Sequence, residues 1–229
     1  MTYKIILKSV LIMALSCLVF QNVKSQEKEE DKVAAAAKVI KDFTTMKESI
    51  PAELLKITEG IVVVPKLINA GFVIAGKRGK GIAMVKNSDG TWSDPTFVTI
   101  TGGSIGFQVG VQSIDLVLVF KNRETLENIG KGTFTLGGDI SVTAGPVGRS
   151  SSATTDYKLE AEVYSYSRSK GIFAGISLSG SALDVDAKAN KNFYGEDESA
   201  EDIFSNKDDS KNASIKDIKE TLGEMDENK

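Results

Sequence analysis

The spacing of hydrophobic positions changes character along the chain. Between residues 26 and 48, Val33, Ala37, Ile40 and Phe43 recur at three- and four-residue steps, and Ala34 to Ala37 is a strong helix-forming run. This predicts a helix with a modest apolar stripe. Ser49-Ile50-Pro51 reads as a break, with Pro51 at the first turn of a short second helix through Leu54, Leu55 and Ile57 that stops at Gly60.

From Ile61 onward β-branched runs alternate with glycine, the signature of strands. Strands are expected at Ile61 to Val64, Gly71 to Ala75, Ile82 to Lys86, Phe97 to Thr101, Ser104 to Val111, Ile114 to Phe120, Phe134 to Thr143, Lys158 to Ser167 and Gly171 to Ser181. Asn87-Ser88-Asp89-Gly90 is a hairpin-like turn, and Arg123 to Ile129, behind Asn122, has helical character. The nearly continuous apolar run Ile114 to Phe120 predicts a strand buried on both faces. Lys158 to Val163 alternates strictly and predicts a strand with one wet face. Connections too short for helical crossovers favour an α+β fold: an antiparallel β-rich core over residues 60–195, preceded by N-terminal helices over 26–59. Residues 196–229 carry five basic against twelve acidic groups. They predict a flexible acidic tail with Ile203 and Phe204 its only packing residues and a weak helix near 213–226.

The first 25 residues combine Lys4 and Lys8 with an apolar stretch from Val10 to Phe20, too short to cross a bilayer comfortably. They read as a secretory signal cleaved after Ser25, placing the protein in a periplasm or outside the cell. The alternative is a lipid anchor on Cys17, within Ala14-Leu15-Ser16-Cys17. Cys17 is the single cysteine and histidine is absent, so imidazole bases, histidine-ligated zinc and cysteine clusters are excluded. The formal net charge of −3 argues against general nucleic-acid binding, while residues 60–195 carry fourteen basic against eleven acidic groups and leave room for a local basic face.

Candidate chemistry is sparse, and no cofactor is implied. Gly71 to Arg78 matches a phosphate loop until its last position, where Arg78 replaces the required serine or threonine, and no helix follows. Gly76-Lys77-Arg78-Gly79-Lys80-Gly81 reads instead as a glycine-rich turn whose N–H groups and cations suit a phosphate headgroup, or as a solvated hairpin tip. Gly145 to Arg149, and Arg168 with Lys170, have the same form. Asp115, inside an apolar strand, must be paired; a structural acid tying down a turn or meeting an arginine is favoured over a catalytic one. Asp184, Asp186 and Asn190 read as a polar strand end rather than a calcium loop, Ser150 to Ser152 as a loop, and Trp92 as a packing anchor.

Taken in order, Ile50-Pro51, Gly60 to Pro65, Gly71, Gly76, Gly79 and Gly81, Trp92-Ser93-Asp94-Pro95, Gly102-Gly103 with Gly106 and Gly110, Asp115 to Phe120, Asp139 with Gly145 to Arg149, and Tyr166-Ser167 with Gly171 to Gly180 resemble the SYLF domain over roughly residues 33–195. In eukaryotes that domain sits beside SH3 or FYVE modules, includes yeast actin-patch proteins, and binds phosphoinositides. Bacterial relatives are typically exported single-domain proteins. The resemblance implies a non-enzymatic, lipid-binding domain. Its expected partner is an anionic phospholipid or membrane surface, contacted through Lys77, Arg78, Lys80, Arg149, Arg168 and Lys170. Nucleic acid is not an expected partner, nor is actin for an exported chain; an envelope protein is the alternative.

Overall fold

The computed structural model describes residues 26–46, 50–132, 134–146, 159–173, 175–195, 197–205 and 212–227, with backbone alone over 72–75, 104–109 and 226–227. Helix α1 covers 26–45 and buries Val33, Ala36, Ala37, Val39, Ile40 and Phe43. Helix α2, Ala52–Lys56, follows Pro51, whose carbonyl accepts the N–H groups of Leu54 and Leu55.

Two very long strands then dominate the chain. β1, Gly60–Val85, and β2, Thr96–Phe120, pair antiparallel from Gly60↔Phe120 to Ala83↔Thr96. Each replaces three of the short strands expected from the sequence, because the glycines between those runs stay in extended backbone. They allow the ribbon to bend back on itself. A Cβ added at Gly81 would lie 2.0 Å from the Val63 carbonyl oxygen, and one at Gly79 would lie 3.2 Å from Leu67 Cα, so the two halves of β1 cross in direct contact. The register shifts between Val64 and Leu67 and between Phe72 and Val73. Between the strands, the Asn87 carbonyl accepts the Gly90 N–H at 2.9 Å, as the Asn-Ser-Asp-Gly motif predicted.

The smaller strands extend this ribbon at its two ends. β5, Val163–Ser169, pairs with the second half of β2, and β7, Ser181–Val185, pairs with its first half at Val98 to Thr101. β3, Phe134–Leu136, lies on β7, while β4, Val142–Ala144, and β6, Ile172–Phe173, both lie on β5. The β4 and β5 pairing is parallel, an exception to an otherwise antiparallel sheet. The fold is α+β, as expected.

Alternation along the ribbon divides the interior into two apolar layers. Ile61, Val63, Ile82, Met84, Val117 and Val119 pack with α1, α2 and the late helices; Val62, Val64, Ala83, Leu116, Leu118 and Phe120 pack on the other face with helices α3, Arg123–Glu127, and α5, Ala200–Ser205. The run Ile114 to Phe120 is therefore covered on both faces, as its sequence predicts. The wet face expected over Lys158 to Val163 is present where that stretch is described, with Glu160 and Glu162 exposed, Leu159 and Ala161 half-buried and Val163 buried. The strand itself begins only at Val163, and in β5 Val163, Tyr164, Tyr166 and Ser167 are all buried.

The acidic tail does not lie free of the core. Besides α5, which buries Ile203 and Phe204, helix α6, Ala213–Glu227, buries Ile215, Ile218, Leu222 and Met225 in the layer beneath α1 and α2. Those four positions form one helical stripe at three- and four-residue steps, and the surrounding carboxylates concealed it. Lys219 Nζ lies 2.6 Å from Asp94 Oδ1, and Asn212 donates to Glu30 at 3.0 Å. Helix α6 thus stands where a weak helix was expected, but packed on the core, whereas helix α4, Ala187–Tyr194, was not expected; Asp186 caps it by accepting the Ala189 N–H at 3.1 Å, and Gly195 closes it in the left-handed region.

Candidate lipid-contact positions

The cations marked by the sequence do not form one cradle. Gly76 to Gly81 is not a turn but part of β1, paired with residues 98 to 103 of β2, so successive side chains point to opposite faces. Lys77 faces inward and is 4% exposed. Its Nζ donates to the Ser177 carbonyl, and burial pulls its pKa below the usual lysine value. Arg78 and Lys80 share the other face. Arg78 is exposed. Lys80 Nζ lies 2.5 Å from Asp186 Oδ2. Burial opposes the Asp186 charge, but Lys80, the Ala189 N–H and Lys32 outweigh it and hold the carboxyl below its ordinary range.

Arg168 is occupied as well. Its Nη2 lies 2.5 Å from Asp42 Oδ2 on α1 and 3.0 Å from Asp115 Oδ2 on β2, its Nε donates to Asp115 at 3.1 Å, and its guanidinium stands 5.5 Å from the Phe43 ring centroid. Asp115 Oδ1 accepts the backbone N–H of Lys66 at 3.1 Å, at the β1 bulge where Lys66 has φ 53°. Asp115 is thus the structural acid expected, tying down a turn and meeting an arginine. Burial disfavours charge on both partners, yet mutual hydrogen bonding leaves the Asp42 pKa lowered and that of Arg168 raised.

Lys170 does sit at a turn. Lys170 and Gly171 have φ 52° and 78°, the paired positive values of a type I′ hairpin between β5 and β6, and Lys170 is exposed. Arg149 and Ser150 to Ser152 lie outside the described residues. Asp139 accepts the Thr135 N–H at 2.7 Å, Asn190 Oδ1 accepts the Phe97 N–H at 2.8 Å, and Trp92 is buried, consistent with structural roles for all three. Of the six cations, Arg78 and Lys170 remain exposed and without a described carboxylate beside them.

Sequence reasoning missed a set of apolar positions. Val111 is 78% exposed, Ile172 72% and Ile68 42%. Strand pairing brings them to one end of the sheet: Ala70 faces Val111, Ile68 faces Ser113, and Ser169, which pairs with Ile172, donates from its Oγ to the Ser113 carbonyl at 3.1 Å. The available signal was the lack of any charged residue from Leu67 to Gly76 and from Thr96 to Ile114.

The family described as Ysc84, Las17-binding protein actin regulator, matches residues 101–225. The chain belongs to the Ysc84 family. LAS seventeen-binding protein 3 of Saccharomyces cerevisiae is 35% identical over 188 residues, covering 81% of this chain and 41% of the relative. Protein YSC84 of the same yeast is 36% identical over 179 residues, covering 74% and 38%. SH3 domain-containing YSC84-like protein 1 of Homo sapiens is 34% identical over 190 residues, covering 80% and 54%. The chain therefore spans about half or less of the length of these relatives. The match agrees with the SYLF resemblance and embraces most of β2 through α6, including the tail helices that pack on the core.

Proposed function

We propose that this Ysc84-family chain is a non-enzymatic protein of the cell envelope that binds anionic phospholipid surfaces. The observation that carries the reading is the exposure of Arg78 and Lys170, while Lys77, Lys80 and Arg168 are held by internal partners. Among the described cations expected from the sequence to meet headgroups, contact narrows to those two. Each guanidinium or ammonium near an anionic surface contributes about 1 kcal/mol. Arg78→Ser and Lys170→Ser should therefore each lower partitioning onto anionic vesicles about fivefold. Unchanged sedimentation of the double variant with such vesicles would remove both residues from the site. Lys77→Met should leave vesicle binding intact.

Export follows from the reading of residues 1–25, and the mass of the protein recovered from its own envelope tests it. A start at Gln26 fits cleavage, a diacylglyceryl adduct on Cys17 fits an anchor, and an intact leader contradicts both. A protein partner is the second reading, favoured by relatives named for binding LAS seventeen. It predicts no vesicle binding at any salt concentration.

A further inference from the structure

We infer that the bend of the β1 and β2 ribbon is a membrane-inserting element that lodges at interfacial depth in an anionic bilayer. This rests on the lipid-binding reading above and names the part of the molecule that enters the lipid. The crossing of Gly79 and Gly81 over Val63, Val64 and Leu67 fixes the two feet of a bow. Between those feet, Leu67 to Gly79 of β1 runs out and returns, paired throughout with β2. Half of that path, at about 3.3 Å per residue, limits its reach to about 20 Å.

Composition and charge point the same way. No charged residue occurs from Leu67 to Gly76 or from Gly102 to Ile114, although a quarter of the whole chain is charged. Two of the strongly exposed apolar side chains, Val111 and Ile68, stand on this bow, and Ile172 flanks it from β6. Cations stand at the feet: Lys66 and Lys170 at one, Arg78 at the other, all exposed. An uncharged apex with basic feet complements a bilayer whose apolar region lies beneath a negative headgroup layer.

Backbone hydrogen bonding sets the depth. β2 has described partners other than β1 only at Val98 to Thr101 and Asp115 to Phe120, so its outer edge between those stretches is unpaired among the described strands. Unpaired N–H and C=O groups are not tolerated in the hydrocarbon core. The ribbon therefore enters only the headgroup and upper acyl region, where water still reaches its edges, a depth of roughly 5–10 Å.

The test is the full chain carrying Cys17→Ser and Val111→Cys, labelled at the new thiol with an environment-sensitive fluorophore, and mixed with vesicles of phosphatidylcholine and phosphatidylglycerol. A second protein labelled at Ser88→Cys, an exposed position of the Asn87 to Gly90 turn, is the control. A blue shift at position 111 alone, quenched by shallow but not by deep brominated lipids, is expected. Val111→Asp should lower partitioning about tenfold while the fluorescence of buried Trp92 reports an unchanged fold. Sedimentation with vesicles but a water-like probe at 111 overturns the insertion and leaves headgroup binding standing. Failure to sediment at all overturns both. A shift that grows with protein concentration in the absence of vesicles assigns the ribbon edge to a second copy of the chain and overturns the insertion.

Discussion

Arg168 joins parts of the chain that sequence separation keeps far apart: Asp42 on α1, Asp115 on β2 and, through Asp115, the Lys66 N–H at the β1 bulge. Its side chain is 13% exposed, and the carboxylates of Asp42 and Asp115 are 29% and 24% exposed. Arg168→Met would leave Asp115 without its arginine and Asp42 with only the exposed Lys38, whose Nζ lies 3.0 Å from Asp42 Oδ2. Removing one partner of a fully buried pair costs about 3–5 kcal/mol, and partial exposure reduces that here to about 2 kcal/mol. Urea unfolding followed by the single tryptophan measures it, and a loss below about 0.5 kcal/mol would show that the network contributes little to stability. The same network sets an acid limit. Asp42 in this network, and Asp186 in its separate pair with Lys80, are held below the ordinary carboxylate range in the folded protein, so the unfolded chain binds protons first as pH falls. Their stabilisation is complete above the unfolded value of about 3.9 and drains as pH drops through the lower folded values. The urea midpoint should fall steeply below about pH 4, and Asp42→Asn with Asp186→Asn should flatten that fall.

At the scale of elements, the crossing of β1 over itself rests on Gly81. A Cβ there meets the Val63 carbonyl oxygen at 2.0 Å and Val64 Cα at 2.8 Å, both backbone and unable to swing aside. Gly81→Ala should force the crossing apart and destabilise by about 3 kcal/mol or more. Gly76→Ala, with nothing within 4 Å of its added Cβ and no positive φ, should change stability by less than about 1 kcal/mol. Comparable losses in the two variants would show that glycine serves the ribbon as a whole rather than one contact. This crossing also marks the limit of what the residue pattern revealed. The strand runs within β1 and β2, the buried run Ile114 to Phe120, the turn at Asn87 to Gly90 and the pairing of Asp115 were legible, because each depends on local periodicity or on one buried charge. The strands expected at Phe134 to Thr143 and Gly171 to Ser181 were not, the first being broken into β3 and β4 and the second reduced to β6 and the first residue of β7. That three glycine-punctuated runs form one bent strand was not, since a glycine that turns the chain and a glycine that lets another backbone pass close by look alike in sequence. Helix α6 was expected near 213–226, but its packing was obscured for a different reason: Ile215, Ile218, Leu222 and Met225 are few, and their burial depends on the apolar layer they share with α1 and α2. The candidate site suffered most. Lys77, Arg78 and Lys80 are adjacent in sequence, yet strand alternation and Asp186 divide them into one buried, one exposed and one paired cation.

The molecule as a whole carries a formal charge of −3, with its acidic surplus concentrated in 196–229, so a negatively charged membrane repels it at long range. Attraction must come from the feet of the ribbon, where Lys66, Arg78 and Lys170 are exposed. Two forces of different salt sensitivity then act at one place. The cations act over a Debye length of about 10 Å at 0.1 M salt and weaken as salt is added, whereas burial of Val111, Ile68 and Ile172 does not weaken with screening. Partitioning onto anionic vesicles should accordingly drop about tenfold or more between low ionic strength and about 0.15 M, then level off as the apolar contribution remains. Arg78→Ser with Lys170→Ser should flatten the first part of that curve, and Val111→Asp should abolish the plateau. A monotonic fall to zero in the parent protein would mean headgroup contact alone. Binding that ignored salt throughout would mean that the exposed cations do not face the lipid, and the orientation argued from them would be wrong.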